Sequence, residues 1–112
     1  MAFQGGLPFF NDAVAGTVVN IKSNGFADLY SAKLVNTTAA TAYLQFFDAP
    51  ATSVVLGTTV PKFVLRLSAN ETTNPSEIGV PLMFRGTGLS IAGTTTPGGN
   101  TGAAISVSAV YG

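Results

Sequence analysis

An all-β fold, an antiparallel two-sheet β-sandwich of about eight short strands, is predicted by three observations. Apolar and polar residues alternate with a period of two through most of the chain from Val14 onward. Clusters of Gly, Pro, Asn and Thr interrupt that alternation at close spacing. No window sustains a 3.6-residue period with caps, so no helix is placed. Eight strands favour a jelly-roll-like arrangement over a seven-stranded immunoglobulin one, and the chain lacks the Cys and Trp that mark antibody domains.

The first segment has no period at all. Gly5, Gly6 and Pro8 break regular structure, while Phe3, Leu7, Phe9 and Phe10 are too apolar for a solvated tail. Residues 1–12 therefore read as an extended N-terminal arm preceding a sandwich domain at 13–112, with Phe3, Leu7, Phe9 and Phe10 as its protein-interaction residues. The same segment can also fold back on its own domain as a terminal strand.

Thr17 to Ile21 is β-branched and short, and Ser23-Asn-Gly25 supplies a turn with a residue that tolerates positive φ. Phe26 to Asn36 sets Tyr30, Ala32 and Leu34 on one face against Ser31 and Lys33 on the other. After a small-residue connection, Ala42 to Phe47 alternates again and stops at Asp48-Ala-Pro50, since proline cannot donate to a ladder. Ser53 to Leu56 is a short strand candidate. The clearest strand, Lys62 to Ser68, points Phe63, Leu65 and Leu67 inward and Lys62, Arg66 and Ser68 outward. Ala69 to Ser76 is a turn-rich loop. Ile78 to Phe84 follows, with Pro81 arguing for an edge or bulged strand. Leu89 to Ala92 precedes the least regular stretch, Gly93 to Gly102. The last strand, Ala103 to Tyr111, sets Ile105, Val107, Ala109 and Tyr111 against Ser106, Ser108 and Val110.

Length and charge then narrow the function. One hundred and twelve residues make one domain. Hydrophobic residues make up 46% of the chain and charged ones 9%, with five Lys and Arg balancing five Asp and Glu. Mean hydropathy is +0.42. A neutral chain has no long-range field to draw in nucleic acid or an anionic membrane. No apolar run approaches the roughly 18 residues of a membrane helix. With neither His nor Cys, the commonest general base, the thiolate nucleophile and the usual transition-metal ligands are all missing.

The remaining titratable groups do not cluster. Asp12, Asp28, Asp48, Glu71 and Glu77 are scattered singly, and Glu71 with Glu77 falls in or beside one loop of turn formers. No Asp-x-Asp-x-Asp-Gly pattern offers a calcium loop, although Asp48, Asn70 and Glu71 carry oxygen ligands. The glycines at 86, 88 and 93 do not fit a nucleotide-binding spacing. Asn36-Thr-Thr38 and Asn70-Glu-Thr72 match the glycosylation sequon, as an Asn- and Thr-rich chain does by chance. No catalytic residue, metal ligand or cofactor site is expected, and the chain reads as non-enzymatic. A surface of Thr, Ser, Ala, Gly and Asn costs little to desolvate against another protein.

Four stretches carry a resemblance. Leu29 to Ala49 joins a strand ending in Asn36, a small-residue turn and a Tyr43-Leu-Gln-Phe-Phe47 strand. Val60 to Leu67, Gly86 to Thr96 and the closing Ile105 to Tyr111 follow in order. Together they resemble small β-sandwich virion proteins of tailed bacteriophages, of the capsid decoration or cement, head-fibre and tail accessory kinds. The turn after Leu67 departs from that pattern, reading Ser-Ala-Asn-Glu-Thr72.

The resemblance implies a capsid decoration or cement protein on the virion surface, bound to the major capsid protein lattice as a homo-oligomer, with a trimer favoured. A phage tail or baseplate accessory domain is the alternative. A carbohydrate-binding module is a third, for which only Tyr30, Tyr43 and Tyr111 are available.

Overall fold

The computed structural model describes residues 6–73 and 82–112. The chain is all-β: strands β1 (Leu7–Val14), β2 (Val19–Lys22), β3 (Ala27–Asn36) and β4 (Ala42–Phe47), a 3-10 turn (Ala51–Ser53), then β5 (Phe63–Leu67), β6 (Thr72–Thr73), β7 (Leu82–Phe84), β8 (Leu89–Thr94) and β9 (Ile105–Tyr111). The expected eight strands become nine: Leu7–Val14 and Thr72–Thr73 are added, the latter pairing with Val35 and Leu34, and Ser53 to Leu56 is lost.

Two antiparallel sheets face each other. One runs β1-β9-β3, with β6 and β7 both paired to β3, and the other runs β2-β8-β4-β5. Early strands pair with late ones: β1 with β9, β2 with β8, β3 with β6 and β7, and β4 with β5. Pairs far apart in the chain close each sheet.

Alternation places the core as the sequence predicts. Leu34, Ile105 and Val107 of the five-stranded sheet meet Leu44, Phe46, Leu67 and Ile91 of the other. Burying each Leu, Ile or Phe side chain contributes about 1.5–3 kcal/mol. Phe46 anchors one end, with its ring 6.0 Å from Phe84 and 5.5 Å from Phe63.

Three expectations change. Tyr30 does not share the inner face of β3: the register shifts between Leu29 and Ser31, so Leu29 turns inward and Tyr30 outward. Ser53 to Leu56 is not a strand. The 3-10 turn ends there, and the Val55 carbonyl accepts from the amides of both Thr58 and Thr59 around Gly57, at φ +86°. Of the expected arm, Leu7 onward belongs to β1, paired residue by residue with β9 from Tyr111 back to Val107. The fold-back that the sequence left open is the arrangement from Leu7; Phe3 and the expected strand residues 78–81 lie outside the described residues.

The outer faces of the two sheets differ. On the four-stranded sheet, Gln45, Phe47, Ser90, Ala92 and Thr94 point away from the core yet are buried. Their cover is the chain's own loops, residues 48–61 and 95–102. Ser90 Oγ donates to the Ala49 carbonyl at 2.7 Å, and Gln45 Nε2 to the Gly99 carbonyl at 3.1 Å.

Candidate protein-interaction face

Nothing in the described chain covers the outer face of the five-stranded sheet in the same way. Its outward side chains form three rows across β1, β9 and β3: Pro8–Val110–Ser31, Phe10–Ser108–Lys33, and Asp12–Ser106–Val35. Tyr30 is pushed outward by the bulge beside the first row. Met83 of β7 extends that side, opposite Asp28.

An antiparallel sheet facing water normally turns polar residues outward. Here Phe10 is 67% exposed, Tyr30 44% and Met83 56%, with Pro8 and Val110 exposed beside them. The face carries little charge. Asp12 accepts from Ser106 Oγ at 3.3 Å, and neither Asp12 nor Lys33 forms an ion pair among the described residues.

The expected interaction residues separate. Phe10 stands on the outer face. Leu7, 58% exposed, lies on the inner side of β1 but beyond the end of the core, opposite Tyr111. Phe9 turns inward and packs on the core, so it is a structural residue rather than one offered to a neighbour. Phe3 is outside the described residues.

No family model, curated protein or solved structure matches the chain.

The carboxylates of the described residues are occupied by local structure. Asp48 accepts the Gly86 amide at 2.6 Å and lies 3.8 Å from Lys62. Glu71 accepts the Ser68 amide at 2.6 Å, closing its own turn. Asp28 pairs with Arg85 at 2.7 Å, and that guanidinium sits 5.4 Å from the ring centre of Phe26. Among the described residues, no three of Asp, Glu, His and Cys come together. A shallow cleft of about 240 Å³ lies beside the Asp48–Lys62 pair, between Phe47 and Val60.

Asn36, one of the two formal sequons, is fully buried. Its Nδ2 lies within hydrogen-bond distance of the carbonyls of Ala40, Leu67 and Ser68, and its Oδ1 accepts from both the amide and the hydroxyl of Thr38. The side chain ties the end of β3 to the end of β5 and is not open to modification.

Sequence reasoning missed the outer face as a unit. One signal was present: Val110 follows Ser106 and Ser108 on the outward positions of β9, an apolar side chain where the pattern is polar. Tyr30 carried no such signal, because a bulge reverses its face without any glycine or proline to announce it.

Proposed function

We propose that the protein is a non-enzymatic structural component of a virion: a decoration or cement protein of a tailed-phage head, bound to the major capsid protein lattice. The observation that carries this reading is the uncovered outer face of the five-stranded sheet, where Phe10, Pro8, Val110 and Tyr30 stand in place of polar residues. Aromatic side chains buried at a protein contact contribute more than their number suggests, and repetition over a lattice multiplies weak contacts. The pairing of β1 with β9 and β2 with β8 supports the jelly-roll reading of the sandwich. The mechanism is binding alone, as a symmetric homo-oligomer.

Copy number in purified particles, by quantitative mass spectrometry, tests the reading. Hundreds of copies are expected for a shell component; a handful would move the protein to the tail, and absence would overturn the virion reading. Truncation needs a different boundary from the arm of residues 1–12, because a cut after Phe10 would remove half of β1. Deleting residues 1–5 leaves β1 and the core in place, and occupancy on the capsid is expected to fall. Full occupancy without residues 1–5 would exclude them from the lattice contact.

A further inference from the structure

The described chain presents one sheet face that its own loops leave bare, and that face is complementary to itself. Asp12 stands on β1 and Lys33 on β3, one strand to either side of β9 and one row apart along it. Phe10 shares the row of Lys33. Within the molecule these groups are separated by the width of two strand spacings, about 9–10 Å, and do not meet.

We infer that the outer face of the five-stranded sheet docks on the same face of a second copy, about a twofold axis running along β9. This rests on the reading of that face as protein-binding and gives it the homo-oligomer contact of that reading, which leaves the lattice contact to another part of the surface. The rotation lays β1 of each copy over β3 of the other and β9 over β9. Pro8 then meets the second copy's Ser31, and Phe10 meets its Lys33. The Lys33 stem covers the exposed Phe10 ring, and its ammonium reaches one row further, to Asp12. Symmetry makes each contact twice. A lysine over an aromatic face is itself attractive, and its apolar stem buries surface while the charge stays at the rim.

Charge complementarity selects a second copy over an unrelated partner. A single base and a single acid, without an ion-pair partner among the described residues, flank an otherwise uncharged central strand. A twofold axis along β9 brings unlike charges within one row of each other from one surface, whereas a twofold axis across the strands would lay β1 over β1 and keep Asp12 from Lys33. The remaining positions, Ser106, Ser108 and Val110, are small enough for close approach of the two β9 strands, and packed sheets lie about 10 Å apart. Four strands about 4.8 Å apart and about 20 Å long give a projected face of about 400 Å² on each copy, about 800 Å² in total, below the roughly 1,200 Å² of stable interfaces. The dimer is therefore a reversible one, dependent on concentration.

Sedimentation velocity of the full chain over a wide concentration range tests this. The mass is expected to rise from 11.4 kDa towards twice that value. Lys33→Asp and Asp12→Lys should each weaken association at least about ten-fold by opposing like charges, and the double exchange should restore it. Phe10→Ser should also weaken it, whereas Val60→Ser, in a loop over the other sheet, should not. A monomer at every concentration, a trimer, or a double exchange that fails to recover would overturn the pairing. Capsid occupancy of Lys33→Asp separates the two readings. A monomeric variant that still decorates shells retains the virion role, with its lattice contact elsewhere. A wild-type dimer absent from particles supports the pairing and removes that role.

Discussion

Asn36, at the end of β3, donates through Nδ2 to the Leu67 carbonyl at the end of β5, 3.2 Å away, and so joins the two sheets with one buried side chain. Its partners are the carbonyls of Ala40, Leu67 and Ser68 and the amide and hydroxyl of Thr38, with the bond to Leu67 buried and the others part-buried. Asn36→Ala should therefore cost about 3 kcal/mol, more than a typical surface change, because several buried or part-buried groups lose a partner at once. Urea unfolding with an unchanged slope would measure it; a loss below about 1 kcal/mol would contradict the role given to this residue.

Gly93 lies in β8 where the chain has no room for a side chain. A Cβ there would run into the carbonyl oxygens of Ala103 and Val14. The Gly93 amide also donates to Ala15 at 2.9 Å, and its carbonyl accepts from Ala103 at 3.0 Å, so neither strand can retreat freely. Gly93→Ala should destabilise by about 2 kcal/mol and lower Tm by several degrees. An unchanged Tm would mean that the crossing is looser than described.

Adjacent phenylalanines of β1 should behave oppositely. Phe9→Ser removes a ring packed on the core and should cost about 1–2 kcal/mol. Phe10→Ser removes an exposed ring and should change stability by less than about 0.5 kcal/mol. Thermal unfolding of the two variants side by side checks the strand's facing, since a free arm would make both changes neutral.

Gln45 presents a divided case. Its Nε2 holds Thr94 Oγ1 at 2.8 Å and the Gly99 carbonyl at 3.1 Å, while its Oε1 is buried without a partner. Gln45→Met keeps the volume, removes that unsatisfied oxygen and releases the loop. Global stability should change by about 1 kcal/mol or less. Amide exchange at residues 95–102 should accelerate while the core strands stay protected; an unaltered loop would show that Gln45 does not hold it.

Capsid occupancy should respond weakly to salt, since the chain offers ten charged side chains in all and two of the acids are already paired, Asp28 with Arg85 and Asp48 with Lys62, whereas the dimer that sets Lys33 beside Asp12 should weaken. Light scattering across an ionic-strength series checks this. A steep loss of capsid occupancy would place the lattice contact on charges.

Much of the fold was legible. Alternation located β3, β4, β5 and β9 and chose the inward set of β9 without error, because a one-residue slip would expose every core side chain of that strand. The features that escaped are those alternation cannot carry. Tyr30 changed faces through a register shift set by its partner strand. Val54 and Val55 have strong strand preference but end in a turn, because tertiary context outweighs a weak intrinsic preference. Gln45 and Ser90 fall on the outward positions of their strands, yet distant loops cover them. The interaction residues were half legible: hydrophobicity marked Leu7, Phe9 and Phe10 together, and only strand pairing could separate Phe10 from Phe9.

The position of β9 sets an order on folding. It is the last strand of the described chain, yet it lies in the middle of its sheet, between β1 and β3. Until β9 is available, β1 and β3 have no common neighbour, and their edges stay open beside an unfinished core. Completion of this sheet therefore waits for the ninth strand, slowed by the long loop that must close between it and the first. During that interval β1 lacks the strand it pairs with, and Phe9 and Phe10 are exposed together.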